Sequence, residues 1–207
     1  MSVVDVAMVG RLGAAALAAT GMGAMLFWGA LSLVIGIRTG VQTVASRRLG
    51  QKKYNQCGTA LHNGLFMATV YGFPVSIAGW WLAKDFIPFF INDIKATSLT
   101  IEYSSIIFLG LLFSAYSFVF QGFYTGVEKT KIHMRVSITS NIVNVYLNAG
   151  LIYGSEGVKL FFSENVPALT FLSHLWQWTT FPAMGVKGAA IACLLYTSDA
   201  ADDTPCV

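Results

Sequence analysis

Apolar residues in this chain come in long uncharged runs separated by short charged connectors, unlike the short alternation of a soluble core. Residues 14–37, AAALAATGMGAMLFWGALSLVIGI, form the cleanest run; Arg38 follows, and helix-like sequence continues to Ser46. Residues 64–83 form a second run, interrupted by Pro74 and ending in Trp80-Trp81. Residues 103–127 and 136–155 form two more, with EKTKIHMR between them. An α-helix rises about 1.5 Å per residue, so about 20 apolar residues cross the ~30 Å hydrocarbon of a bilayer. Each run therefore predicts one spanning helix. Two partial helices flank the set: residues 1–10, too short to span, and a start at Gly188-Ala189-Ala190-Ile191-Ala192. The pattern predicts an all-α polytopic membrane protein whose helix one and helix six are truncated.

The connectors predict its orientation, because cytoplasmic loops collect lysine and arginine. The connector after residues 14–46 holds Arg47, Arg48, Lys52 and Lys53. The next, residues 84–102, offsets Lys84 and Lys95 with Asp85, Asp93 and Glu102. The third holds Lys129, Lys131 and Arg135, and the fourth only Lys159 and Lys187. High and low counts alternate, as serial crossings require. The second and fourth helices are thus expected to end in the cytoplasm, and the first to run outward. Residues 156–186, with Pro167, Pro182, His174, Trp176 and Trp178, read as an external or interfacial connector, where tryptophan is at home.

Composition reinforces the class: 55% of residues are hydrophobic and 11% charged, against about 25% charged in a typical soluble domain. The net charge of +3 does not argue for nucleic acid, because the basic residues lie between apolar runs. Cys57, Cys193 and Cys206 form no CxxC, and His62, His133 and His174 have no metal spacing. Without a GxSxG, Walker, HExxH or GxGxxG motif, no enzyme, metal site or cofactor is expected. Residues 193–207, CLLYTSDAADDTPCV, bring Asp199, Asp202 and Asp203 into what should be a membrane helix. The string resembles a translated sequencing adaptor and is set aside as a non-native tail, leaving residues 1–192 as the domain.

Among the remaining acids only Asp5 sits inside an apolar run. A carboxylate near mid-membrane costs at least ~2.5 kcal/mol, so such residues usually bind a proton or cation that cancels the charge. Residues 136–155 carry Asn141, Asn144 and Asn148 within an arc of roughly 60° at 100° per residue. An amide without a partner is costly in hydrocarbon, so this face needs other helices or water. Asn141, nearest the cytoplasmic start, is assigned to helix–helix bonding. Asn144 and Asn148, adjacent on one face, are expected to form a polar cluster with Asp5. Gly36 with Gly40, and Gly122 with Gly126, make two GxxxG spacings, each read as a mark of close helix packing. Arg38 reads as a snorkelling residue near the cytoplasmic end.

The strings VDVAMVGRLGAAALAA, GVQTVASRRLGQKK, QGFYTGVEKTK, NIVNVYLNAGLIYG and FPAMGVKGAAIA, in this order, resemble the multidrug and toxic compound extrusion (MATE) family. The resemblance implies the first six-helix lobe of a twelve-helix, two-lobe transporter, with the C-terminal lobe of the same chain as a missing partner. It implies that Asp5, Asn144 and Asn148 belong to a cluster that takes up H⁺ or Na⁺. Asn148 and Thr125 stand where some members of the family carry an acid.

The expected activity is secondary antiport at the plasma membrane, the inner membrane of a bacterium. H⁺ or Na⁺ would be exchanged for cationic or amphipathic organic compounds in multidrug or xenobiotic efflux. The partial lobe alone is expected to be inactive. The rival activity is a flippase for a lipid-linked or polysaccharide precursor, which a cavity rich in basic residues would favour. A third reading is a scaffold whose asparagines only join helices.

Overall fold

The computed structural model describes residues 3–91, 93–165 and 181–195; residues 3–5, 7, 161–165 and 195 are described by their backbone alone. The described elements are helical: α1 (Val3–Gly10), α2 (Ala14–Gly50), α3 (Tyr54–Phe86), α4 (Ile94–Leu109), α5 (Leu111–Gly126), α6 (Thr130–Asn165) and α7 (Val186–Leu195). A single 3₁₀ turn, Ile87–Phe89, follows α3.

The helix α2 is the axis of the bundle. Its 37 residues reach about 55 Å, well beyond the hydrocarbon, so its last turn carries Arg47 and Arg48. The chain turns out of it through Lys52 in the left-handed region (φ 58), with the Lys53 N–H donating to the Arg48 carbonyl at 3.0 Å. Glycine usually takes this place because it has no Cβ to clash. One apolar cluster joins Leu31, Val34 and Val41 of α2 to Ala68 of α3 and to Leu111, Phe118 and Val119 of α5. A second joins Val9 of α1, Ala16 of α2, Tyr103 and Ile107 of α4, Ile152 of α6 and Ala190 of α7. Large apolar side chains such as Phe66, Trp81 and Phe113 face outward. That inversion of a soluble protein's surface suits a lipid solvent.

The predicted connector at 84–102 is only partly a connector. The Asp93 carboxylate accepts from the Lys95 N–H at 3.2 Å and caps α4, which starts at Ile94. Glu102 is tolerated on this helix because it is ion-paired with Lys187 of α7. The run at 103–127 is not one straight span either. The helices α4 and α5 meet at 50° at Gly110. Such a bend frees backbone carbonyls, and hydrocarbon offers no water to satisfy them. The Ser76 hydroxyl of α3 donates to the Phe108 carbonyl at 2.6 Å, with the Leu109 carbonyl at 3.4 Å. Taken with this bent pair as one span, the described helices follow the six-helix order expected of a lobe.

Among the described residues, α2 and α3 with its 3₁₀ turn are each long and apolar enough to cross a membrane, and the α4/α5 pair makes a third. The two GxxxG spacings part company. A Cβ at Gly122 would stand 2.5 Å from the Arg38 carbonyl oxygen, and one at Gly126 would stand 2.6 Å from that of Gln42. Here α5 rests directly on the backbone of α2. A Cβ at Gly36 or Gly40 would meet no described atom within 4 Å, so the expected close packing is absent there. The Arg38 guanidinium lies over the Phe118 ring, 5.9 Å from its centroid.

Candidate functional site

The asparagine helix α6 begins at Thr130, so most of EKTKIHMR is its first turns rather than a connector. It breaks at Gly154 (φ 74, ψ 165), a conformation essentially confined to glycine. Helix resumes to Asn165, inside the stretch expected to be a connector. Pro167, His174, Trp176 and Trp178 lie outside the described residues. The bonds lost at the break are replaced from the chain leading into α7. Met184 N–H donates to the Leu151 carbonyl at 2.9 Å and Gly185 N–H to that of Ile152 at 3.3 Å. In return Ser155 N–H donates to the Phe181 carbonyl at 3.3 Å, and Phe181 N–H donates to Ser155 Oγ at 3.0 Å.

Below the break, the three asparagines divide into one exposed residue and a buried pair, and Asn141, expected to join two helices, bonds within its own. Asn141 is exposed, its amide donating to the Ser137 carbonyl of its own helix at 3.2 Å. Asn144 and Asn148 are each 1% exposed. Asn148 Nδ2 donates to Asn144 Oδ1 at 3.0 Å, which locks the pair along one face. Asn144 Nδ2 is buried with no hydrogen-bond partner among the described residues. Leaving a buried donor unpaired costs about 1–3 kcal/mol, so this amide stands short of an acceptor.

The fold brings α1 against this helix. Tyr153 Oη donates to the Met8 carbonyl at 2.6 Å, Met8 packs by Ala149, and Val9 shares a core with Ile152. Asp5 lies on α1 one turn before Val9; its side chain is outside the described residues. Asn144 and Asn148 are thus brought together, and helix one runs beside them.

A second buried polar group, at the junction of α5 and α6, was not foreseen. Gln121 Nε2 and His133 Nε2 are 2.8 Å apart. Gln121 Oε1 and Ser137 Oγ are buried without partners among the described residues. His133 lies in EKTKIHMR, read from sequence as a connector, and Gln121 in QGFYTG; the two strings flank the single α5–α6 junction. Thr125, on the same face, donates to the Gln121 carbonyl at 2.8 Å. Among the described residues no three His, Cys, Asp or Glu side chains gather as metal ligands.

Curated relatives match most of the chain in sequence. A "Probable multidrug resistance protein NorM" of Idiomarina loihiensis is 25% identical over 158 residues, covering 76% of this chain and 34% of its own length. Its counterpart in Rhizobium meliloti is 24% identical over 190 residues, covering 92% and 36%. The chain therefore spans about a third of the length of the curated relatives it matches. Among solved structures, an outward-facing multidrug resistance MATE family transporter superposes with a TM-score of 0.74 at 21% identity, covering 93% of this chain and 37% of that one. A MOP superfamily transporter from Pyrococcus furiosus, described as having a binding pocket of reversed polarity, gives the same TM-score and identity over 94% and 37%. These likenesses share a lobe-sized set of helices. With the MatE family model matching residues 1–149, the chain belongs to the MATE family of multidrug efflux transporters.

Proposed function

We propose that the full-length transporter is an antiporter in which Asp5, Asn144 and Asn148 form the cation-coupling site. The observation that supports this most is the buried Asn144–Asn148 pair with its unpartnered amide. The charge rule has both α1 and α6 running outward. Val9 and Ile152 share a core, so counting back one turn on each helix brings Asp5 level with Asn148. A carboxylate at that level would supply the acceptor that Asn144 lacks. Uptake of H⁺ or Na⁺ would neutralise it, weaken that hydrogen bond and change how α1 rests on α6. Inward ion flow could then drive export of small cationic or amphipathic organic compounds across the bacterial inner membrane. The rival, export of a lipid-linked precursor, has less support, because Arg47, Arg48, Lys52 and Lys53 stand at a helix turn rather than along the packed face of α6.

Asp5→Asn in the full-length protein should abolish ion-driven dye export while leaving expression and membrane insertion intact. Separate imposed H⁺ and Na⁺ gradients would identify the ion. Export by the variant equal to that of the parent would overturn the site, and export indifferent to either gradient would overturn antiport.

A further inference from the structure

An open groove of about 260 Å³ runs between α2 and α3 on the outer surface of the bundle. Ile37, Gly40 and Val44 of α2 and Ala60, Asn63 and Met67 of α3 line it. The space over Gly40 is open, since a Cβ there would meet no described atom within 4 Å. The groove is almost wholly apolar. A drug-sized ligand usually wants about 300–1,000 Å³ and several converging polar groups, which this site lacks.

The end of the groove is what distinguishes it from ordinary lipid-facing surface. Arg47 and Arg48 lie about 5–6 Å along the axis from Val44, and Lys52 and Lys53 occupy the following turn. No aspartate or glutamate occurs anywhere in residues 6–84. Among the described residues no carboxylate forms an ion pair with these four cations. Arg48 Nη1 donates to Gln51 Oε1 at 3.1 Å, which holds it at the turn. Asn63 adds a third element. It is exposed, and its neighbour Gly64 packs on Val41, so it stands level with Gln42. That is about 8 Å along the axis from the two arginines. The headgroup layer is about 5–7 Å deep per leaflet, so an amide at this level reaches the glycerol esters beneath a phosphate.

We infer that this groove is a binding site for one anionic phospholipid of the cytoplasmic leaflet. Its phosphate lies on Arg47, Arg48, Lys52 and Lys53, an ester carbonyl accepts from the Asn63 amide, and an acyl chain fills the groove over Gly40. Arginine binds phosphate in a bidentate fork, and basic turns at the cytoplasmic face attract anionic lipid. The acyl groove adds what charge alone lacks, which is selection for a whole lipid over a free anion.

The test is native mass spectrometry of the purified full chain in detergent, offered dioleoylphosphatidylglycerol, dioleoylphosphatidylcholine or glycerol 1-phosphate. Retention of the anionic lipid at least tenfold above the zwitterionic one is expected, with no retention of the free headgroup. Replacing all four basic residues by glutamine should lower retention at least fivefold. Gly40→Leu, which fills the groove and leaves every charge in place, should do the same. Met67→Trp, on the opposite wall, serves if the leucine variant does not fold. Equal retention of both lipids, binding of glycerol 1-phosphate alone, or parental retention by a folded groove-filled variant would each overturn the proposal. So would a dimer of the chain that Gly40→Leu dissociates, since a second copy would then occupy the groove.

Discussion

Two glycine pairs with identical spacing sit on adjacent helices and do opposite things. Gly122 and Gly126 let α5 lie on the carbonyls of Arg38 and Gln42, whereas a Cβ at Gly36 or Gly40 of α2 would meet no described atom. Two residues along a helix turn it by about 200°, so the face of α2 that receives α5 is nearly opposite its own glycines. The helix can present one of these faces to α5, not both. In lipid the hydrophobic effect does not press helices together, and small residues permit contact without compelling it. What decides is which face the partner's ridge reaches. Here Leu31, Val34 and Val41 lock α2 against α3 and α5.

This contrast can be broken by adding one methyl group at a time and following equilibrium unfolding in mixed micelles. The largest loss is expected at Gly122→Ala, about 3 kcal/mol, because the new Cβ meets a backbone oxygen that moves only if α2 moves. A change below about 1 kcal/mol would mean the α2–α5 contact is not tight. Gly64→Ala should cost about 1–2 kcal/mol. Its Cβ would collide with Val41, whose branched side chain has one favoured rotamer in a helix. A neutral result would show that Val41 can turn aside. Gly40→Ala should give the smallest change and the opposite sign, a gain of about 0.5–1 kcal/mol from helix propensity alone. A loss there would reveal a neighbour pressed against that face.

The same contrast marks how far sequence carries. Residues 14–37 and 64–83 predicted α2 and α3 because a long uncharged apolar run has one stable form in hydrocarbon, and the burial of Asn144 and Asn148 followed from the cost of an exposed amide. The start of α4 at Ile94 was hidden, because Lys95 and Glu102 read as connector until Lys187 supplied a counter-charge from α7. The bend at Gly110 was hidden for a related reason: Ser76, its hydroxyl donor, comes from another helix. The glycine spacings were visible, but the face each would meet depends on where α2 is pinned. Asp5 and Asn148 share no local signal; among the described residues the Tyr153–Met8 bond, the Met8–Ala149 packing and the Val9–Ile152 core bring their helices side by side. Patterns within one helix were legible; terms that join two helices were not.

The break at Gly154 bears on how such a chain is made. The carbonyls of Leu151 and Ile152 are satisfied by Met184 and Gly185, which leave the ribosome well after α6 has been synthesised. Until then those two oxygens must stay hydrated or be held by the insertion machinery, because hydrocarbon would penalise them. The outer end of α6 therefore completes its hydrogen bonding only once the segment leading into α7 has been made.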